Sequence, residues 1–195
     1  MTRRVRIIAG GVGGQGILTL GKMMSYAAIH ARLQVSCLAT YGAEMRGGYV
    51  YCMIVISPSM TSFSPVSAEG DLGVFLDRKA YNQLSDYLKE GATAIINSSL
   101  IGKISKKGLK TLRVPASEKS EELGDIRAAN MIAAGALGYM INKNFYRFGK
   151  SSLYYGLSNV VKNPSIIDLS RRAIDDGWTM AESEYDGKER AGKTE

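Results

Sequence analysis

Short apolar segments alternate with longer amphipathic segments over the first two thirds of the chain. The short segments are rich in β-branched and aromatic residues, which is typical of buried strands. Six strands are predicted, over residues 4–9, 34–40, 49–57, 72–76, 92–97 and 111–114. Apolar residues at helical spacing predict helices over 15–31 and 78–89. Alternating strands and helices of these lengths predict a three-layer, Rossmann-like α/β sandwich with a mostly parallel sheet.

The last third of the chain is predicted to be helical. Helices are predicted over residues 125–141, 150–162 and 165–185, and Asp125 is a suitable N-cap for the first of them. That helix contains small residues that indicate close packing against another element: Ala133, Ala134, Gly135, Ala136 and Gly138. The length of the chain predicts one domain over residues 1–185, followed by a charged tail at 186–195 that is expected to be disordered.

A glycine-rich turn follows the first strand at once. It comprises Gly11, Gly13, Gly14, Gln15 and Gly16. Gly11, Gly13 and Gly16 give the spacing G-x-G-x-x-G. Gly13 and Gly14 are adjacent, so the turn is richer in glycine than that spacing requires. Glycine tolerates positive φ, and the N–H groups at the start of the following helix form an anion site. The turn alone does not identify the anion.

Two common nucleotide sites do not fit this turn. A dinucleotide site needs an acidic residue about 20 residues further on, at the end of the second strand, whereas the strand over 34–40 contains none. A phosphate loop needs Gly-Lys followed by Ser or Thr, whereas Gly21 and Lys22 lie inside the predicted helix and precede Met23. The sequence therefore predicts a Rossmann-like start without ordinary NAD binding.

A second polar turn lies between the second and third strands and contains Glu44, Arg46, Gly47 and Gly48. Loops at the carboxyl ends of parallel strands meet at one edge of a sheet, so we expect the two turns to converge. The Arg46 guanidinium is suited to bidentate binding of a phosphate or carboxylate. Alternatively, Glu44 and Arg46 pair with each other or with a neighbouring subunit, and the glycines only shape the turn. Both interpretations remain open.

The formal net charge of +7 indicates an acidic partner or a solvated basic surface. The basic residues are scattered and are not interleaved with aromatic residues, so a nucleic-acid groove is disfavoured. No apolar run approaches the length of about 18 residues that spans a membrane. The basic N-terminal segment is interpreted as a strand rather than a signal peptide, so a cytoplasmic location is expected.

Candidate metal and catalytic residues are few. The two cysteines, Cys37 and Cys52, lie in apolar strand-like segments and are predicted to be buried, reduced thiols. They cannot alone hold an iron–sulfur cluster, which typically takes four thiolates. His30 is the only histidine, and its place at the end of the first predicted helix favours a surface or helix-dipole role. No metal-ligand spacing and no catalytic residue is identified.

Taken in order, the two turns resemble the gamma subunit of 2-oxoacid:ferredoxin oxidoreductases. The resemblance rests on residues 11–16 and 41–48, and it covers roughly residues 5–160. Further matching positions are Asp71 before Leu72, Asn97, Val114-Pro115-Ala116, Ala129-Asn130-Met131 and Gly135-Ala136-Leu137. The first glycine turn alone is a weak signal, whereas the ordered set is specific.

This resemblance implies a role in a larger enzyme. The family oxidatively decarboxylates a 2-oxoacid to an acyl-CoA and CO2 and passes electrons to ferredoxin or a similar acceptor. Thiamine diphosphate with magnesium and the iron–sulfur clusters lie on other chains, and coenzyme A is a substrate. The implied partners are the alpha and beta subunits and a ferredoxin-like delta subunit. The substrate favoured is 2-oxoglutarate, while pyruvate, branched-chain 2-oxoacids and indolepyruvate remain open.

For this chain, the resemblance implies coenzyme A binding and subunit assembly rather than catalysis, and no tightly bound cofactor. The residues expected to seat coenzyme A phosphates or to order the subunit contact are Gly11, Gly13, Gly14, Gln15, Gly16, Glu44, Arg46, Gly47 and Gly48. In an isolated chain, the small-residue helix near Ala133 and the second turn are expected to be exposed docking surfaces. A homodimer of the isolated chain is compatible with this interpretation. The alternative class is a stand-alone nucleotide- or coenzyme A-binding module.

Overall fold

The computed structural model describes residues 4–41, 48–59, 64, 69–104, 106 and 108–191. Strands β1 to β6 span Val5–Val12, Gln34–Tyr41, Tyr49–Ser57, Gly70–Phe75, Leu88–Asn97 and Lys110–Val114. Helices α1 to α6 span Ile17–His30, Arg78–Leu84, Ala116–Glu122, Ala129–Asn144, Lys150–Val160 and Pro164–Ala191. Short 3₁₀ turns lie at Ser85–Tyr87 and Ile126–Ala128. The expected α/β architecture is therefore confirmed.

The six strands form one sheet in the order β2-β3-β1-β4-β5-β6. Strands β1, β4, β5 and β6 are parallel, whereas β3 is antiparallel to both β1 and β2. The reversal of β3 follows from the short β2–β3 connection, because a parallel crossover needs a dozen or more residues. The sheet is thus mostly parallel, and β2 runs in the same direction as β1.

Two hydrophobic clusters lie on opposite faces of the sheet. The larger one contains Ile7 and Ala9 of β1 and the buried faces of α1, α4, α5 and α6. The smaller one packs Ile8 and Phe75 against α2. Because side chains alternate along a strand, neighbouring residues of β1 contribute to both clusters. The layers are therefore α2, the sheet, and a thicker helical layer.

Helix α4 lies inside this helical layer. Its residues are buried from Asn130 to Ile141, which explains why its sequence is apolar on all sides. It packs against α6 at two glycines: a Cβ at Gly135 would lie 2.0 Å from the Ile174 carbonyl oxygen, and one at Gly177 would lie 1.9 Å from the Ile132 carbonyl oxygen. The predicted close packing is confirmed. The expectation that this helix forms an exposed docking surface is wrong, because α6 covers it.

Two helix ends and one whole helix also differ from the prediction. The helix expected over 78–89 ends at Leu84, and β5 begins at Leu88 because that side chain is buried in the cluster beneath α2. Helix α3 was not predicted, since its sequence is polar. Helix α6 continues to Ala191, whereas the predicted helix ended at 185. Asp186 accepts hydrogen bonds from Tyr139 Oη at 2.7 Å and Lys143 Nζ at 3.0 Å, which hold this end of α6 on α4. Residues 192–195 lie outside the described residues.

Within the described residues, no helix combines the length and the apolar composition needed to cross a membrane. The cysteine prediction holds for Cys52, which is buried, and fails for Cys37, which is exposed. The difference arises because β2 lies at the end of the strand order, so one of its sides has no strand partner in the described sheet.

Candidate functional site: a glycine turn at the start of α1

The first glycine turn connects β1 to α1 and is open to solvent. Gly13 and Gly14 are exposed, and Gly14 and Gly16 have φ angles of 90° and 71°. Gly16 is the N-cap of α1, and no side chain caps the N–H groups of the first helical turn. Uncapped N–H groups and the positive end of the helix dipole favour an anion at this position. The geometry therefore fits the predicted anion site.

The Gln15 side chain stabilises the turn through two hydrogen bonds to backbone groups. Its Oε1 accepts a hydrogen bond from Val12 N at 2.9 Å, and its Nε2 donates to the Leu76 carbonyl at 3.5 Å. A Cβ at Gly11 would lie 2.6 Å from Gln15 Oε1 and 3.0 Å from Ile17 Cγ1. Gly11 is therefore glycine because Gln15 and Ile17 occupy the space beside it. Gln15 and Gly11 therefore shape the turn. The backbone that is exposed and accessible to a ligand is that of Gly13 and Gly14.

Asn130 of α4 supports the turn from below. It is only 4% exposed, and its Nδ2 donates to the Gly16 carbonyl at 3.1 Å. A Cβ at Gly16 would lie 2.2 Å from Asn130 Nδ2. Gly16 is thus required both by its φ angle and by this contact. Asn130 belongs to the motifs that carry the resemblance but was not predicted to be a site residue. The available signal was an asparagine in an otherwise apolar helix.

A small cavity of about 180 Å³ lies beside Asn130 and is lined also by Thr19, Ile166 and Ser170. The Asn130 Oδ1 atom has no hydrogen-bond partner among the described residues. Buried acceptors of this kind are usually satisfied by a donor such as a water molecule. Apart from Asn130 and a few other polar residues, the lining of this cavity is mostly apolar.

Asp125 and Arg127 flank the same cavity and bind each other. Arg127 Nε and Nη2 donate to the two Asp125 carboxylate oxygens at 2.9 and 2.7 Å. Hydrogen bonds from the Arg127 side chain and backbone lower the pKa of Asp125 to about 2. Asp125 also caps the 3₁₀ turn before α4, as predicted for an N-cap, by accepting from Arg127 N at 2.9 Å. The Arg127 guanidinium is thus paired with the Asp125 carboxylate, although its side chain remains largely exposed.

The carboxyl edge of the sheet continues this polar region. Asn97, at the end of β5, donates to the Leu76 carbonyl at 3.2 Å and to Ser117 Oγ at 2.8 Å. Its Oδ1 accepts from Ser117 N at 3.2 Å. Because Asn97 is 2% exposed and its amide is engaged on both sides, it fixes the ends of β4 and β5 to α3. Its role is structural.

The second turn begins and ends beside the first. Tyr41 of β2 pairs with Val50, and Val50 and Tyr49 pair with Gly11 and Val12. Gly48, which is described, precedes β3 at this edge. Glu44, Arg46 and Gly47 lie outside the described residues, so their contribution to an anion site remains a prediction. Both turns therefore begin at the same edge of the sheet, which is the edge where they were expected to meet.

His30 lies at the opposite end of α1 from the glycine turn. His30 stacks on Tyr155 with ring centroids 4.6 Å apart, and its Nδ1 lies 3.1 Å from Ser152 Oγ. These contacts join α1 to α5 and agree with the predicted surface role. In the part of the chain that the structure describes, no group of three or more His, Cys, Asp or Glu residues is placed to hold a metal ion.

The fold and the turn together define a Rossmann-like α/β domain. Its glycine-rich β1–α1 turn leads directly into α1, and no side chain caps the N-terminus of that helix. The family model described as pyruvate ferredoxin/flavodoxin oxidoreductase matches residues 6–180. The chain therefore belongs to this family.

Related proteins differ in length and in the substrate that they name. The chain is 28% identical to ketoisovalerate oxidoreductase subunit VorA of Methanothermobacter marburgensis over 95% of its own length, but spans 38% of that relative. It is 30% identical to 2-oxoglutarate synthase subunit KorC of Methanocaldococcus jannaschii, covering 73% of this chain and 76% of the relative.

A solved structure shares the fold. It is 2-oxoglutarate:ferredoxin oxidoreductase from Magnetococcus marinus with 2-oxoglutarate, coenzyme A and succinyl-CoA bound. The match has a TM-score of 0.82 and 23% identity, and covers 94% of this chain and 32% of that one. At this identity the comparison establishes the common fold.

Proposed function

We propose that the chain is the gamma-type subunit of a 2-oxoacid:ferredoxin oxidoreductase. The complex would oxidatively decarboxylate a 2-oxoacid to an acyl-CoA and CO2 and reduce ferredoxin or a similar acceptor. Alpha, beta and ferredoxin-like delta subunits would carry thiamine diphosphate with magnesium and the iron–sulfur cluster, which supply the carbanion and electron-transfer chemistry. Membership of the family and the match over residues 6–180 support this assignment.

Within that complex, the chain's own task is to hold the phosphate groups of coenzyme A. The observation that carries this proposal is the exposed Gly13–Gly14 backbone in front of the uncapped N-terminus of α1. Backbone N–H groups and the helix dipole bind phosphate oxygens without a side chain. The net charge of +7 favours approach of an anionic substrate. Arg46 of the second turn would add a bidentate contact.

The substrate that we propose is 2-oxoglutarate. The match to a 2-oxoglutarate synthase subunit, at 30% identity over 73% of this chain, supports this proposal. We expect the complex purified with its native partners to show its highest kcat/KM with 2-oxoglutarate in a panel that includes pyruvate, 2-oxoisovalerate and indolepyruvate. A higher value with another 2-oxoacid would contradict the substrate assignment while leaving the subunit assignment intact. A chain that purifies alone and binds a nucleotide tightly would instead support a stand-alone module.

Gly13 offers a direct test of the phosphate site. A Cβ at Gly13 meets no described atom within 4 Å, so Gly13→Asp places a carboxylate in the turn without a clash among the described residues. A carboxylate there would occupy the helix N-terminus and repel phosphate. We expect the KM for coenzyme A to rise about 10- to 100-fold, the effect of losing one charge-assisted interaction. The value of kcat at saturating coenzyme A should change little.

The matched control is Gly13→Ala, which adds the same Cβ without charge. It should leave the KM for coenzyme A near that of the unmodified complex. Equal KM values for Gly13→Asp and Gly13→Ala, in complexes of normal subunit composition, would contradict phosphate binding at this turn. Loss of partner subunits from the Gly13→Asp complex alone would show that the turn orders the subunit contact instead.

A further inference from the structure

The two cysteines lie side by side beneath α1. In the β2–β3 register, Cys37 is opposite Ile54 and Ala39 is opposite Cys52, so the cysteines are diagonal neighbours on one face of the sheet. A Cβ at Gly21 of α1 would lie 2.9 Å from Cys52 Sγ and 3.5 Å from Cys37 Sγ. The absence of a side chain at Gly21 therefore makes room for both sulfur atoms against the helix.

The two thiols differ in their access to solvent. Cys52 is fully buried in the central part of the sheet, and its Sγ lies 3.7 Å from the Ile17 carbonyl oxygen. Cys37 is exposed, because β2 has a strand neighbour on one side in the described sheet. Strand β2 also contains no charged residue. A reagent in solution can therefore reach Cys37 and cannot reach Cys52.

Hydrogen bonding favours the thiolate of Cys37. A hydrogen bond from the Cys52 thiol lowers the pKa of Cys37 from 9.0 to about 7, against the opposing effect of burial and with a smaller contribution from Ser25. The Ser25 hydroxyl donates to the Gly21 carbonyl at 2.8 Å, so Cys52 is the main donor. The same contact raises the pKa of Cys52 well above its ordinary value. Of the two sulfur atoms, the exposed one therefore loses its proton more readily.

We propose that Cys37 is a modification site for small disulfides, at which the exposed thiolate forms a mixed disulfide. The Cys37 sulfur attacks one sulfur of the small disulfide, a new S–S bond forms, and the original S–S bond breaks. Its electron pair leaves on the second sulfur as a thiolate, which takes a proton from solvent. Cys37 is oxidised and the small disulfide is reduced, so no further oxidant is required.

The adduct should persist rather than be displaced by Cys52. Diagonal neighbours in an antiparallel pair have Cα atoms about 7–8 Å apart, whereas disulfides usually need about 4.4–6.8 Å. Cys52 is also buried and held in its protonated form. The expected product is therefore one small thiol attached to Cys37, with Cys52 remaining a free thiol.

Reaction of the full chain with the aromatic disulfide DTNB, followed by absorbance and mass spectrometry, tests this proposal. We expect one rapid modification, on Cys37, with a pH–rate profile whose apparent pKa is about 7. Cys37→Ser should abolish the rapid reaction. Cys52→Ala should move the profile towards 9.0. The higher pKa lowers the thiolate fraction at pH 7 by more than it raises the intrinsic reactivity of the thiolate, so the rate at pH 7 should fall severalfold.

Cys52→Ser is the matched variant, since its hydroxyl retains a donor beside Cys37, and it should react faster than Cys52→Ala. Circular dichroism of each variant identifies any that fails to fold. The proposal is overturned if Cys52 is modified first, if an intrachain disulfide is the main product, or if folded Cys52→Ala keeps the rate and profile of the unmodified chain. Oxidised glutathione should give the same single adduct more slowly.

Discussion

Replacing Gly177 by alanine is expected to lower the free energy of unfolding by about 2 kcal/mol or more, because α4 and α6 are in backbone contact at this glycine. The new Cβ would lie 1.9 Å from the Ile132 carbonyl oxygen, a main-chain atom that cannot move aside by changing rotamer. Alanine gains up to about 1 kcal/mol over glycine from helix propensity, so the steric cost must exceed that gain. Chemical denaturation of the full chain measures the difference.

Gly187 provides the control within the same helix. It is exposed, and a Cβ there meets no described atom within 4 Å. Gly187→Ala should therefore raise the free energy of unfolding by about 0.5–1 kcal/mol, the propensity gain alone. If Gly177→Ala stabilises the chain to the same extent as Gly187→Ala, α6 does not cross α4 at backbone contact.

Gly16→Ala is expected to have the second large effect, because two costs coincide at the start of α1. The φ angle of 71° costs a residue with a Cβ about 1–2 kcal/mol. In addition, the new Cβ would lie 2.2 Å from Asn130 Nδ2 and 2.9 Å from Asn130 Cγ. Asn130 is buried and hydrogen-bonded to the Gly16 carbonyl, so its side chain cannot simply rotate away. Together these costs should lower the free energy of unfolding by about 2–4 kcal/mol.

A double-mutant cycle with Asn130→Ala separates the two costs. Shortening Asn130 removes the clash but leaves the unfavourable φ angle. Gly16→Ala should therefore cost about 1–3 kcal/mol less in the Asn130→Ala background than in the unmodified chain. Independent, additive effects would show that Asn130 does not support the turn. The same variants in the complex should raise the KM for coenzyme A if the turn holds its phosphates.

Local patterns were sufficient to predict the features that depend on nearby residues. The strand predicted over 4–9 and the helix predicted over 15–31 follow from an apolar run and helical periodicity, and the structure has them as Val5–Val12 and Ile17–His30. The strand runs further than predicted, so Gly11 lies in β1 and pairs with Val50 rather than belonging to the turn. The geometry of the turn is also largely local, since it depends on Gln15 and on the φ angles of its own glycines.

Features that depend on distant residues were not predicted. Asn130 lies 114 positions from the Gly16 carbonyl that it binds, and no local pattern connects them. The exposure of Cys37 depends on the strand order, because the same sequence in a central strand would be buried. Leu88 was assigned to a helix on local spacing, whereas its burial beside β4 favours the strand. Tertiary packing decided each of these cases.

The enclosure of α4 also imposes an order on biosynthesis. The helix contacts β5 on one side and α6 on the other, and α6 supplies the buried residues Ala173, Ile174 and Ala181. Because a nascent chain leaves the ribosome from its N-terminus, α4 emerges before the segment that covers it. The apolar surface of α4 therefore stays unprotected until residues 164–191 have been synthesised, and the larger core closes only after that segment has left the ribosome.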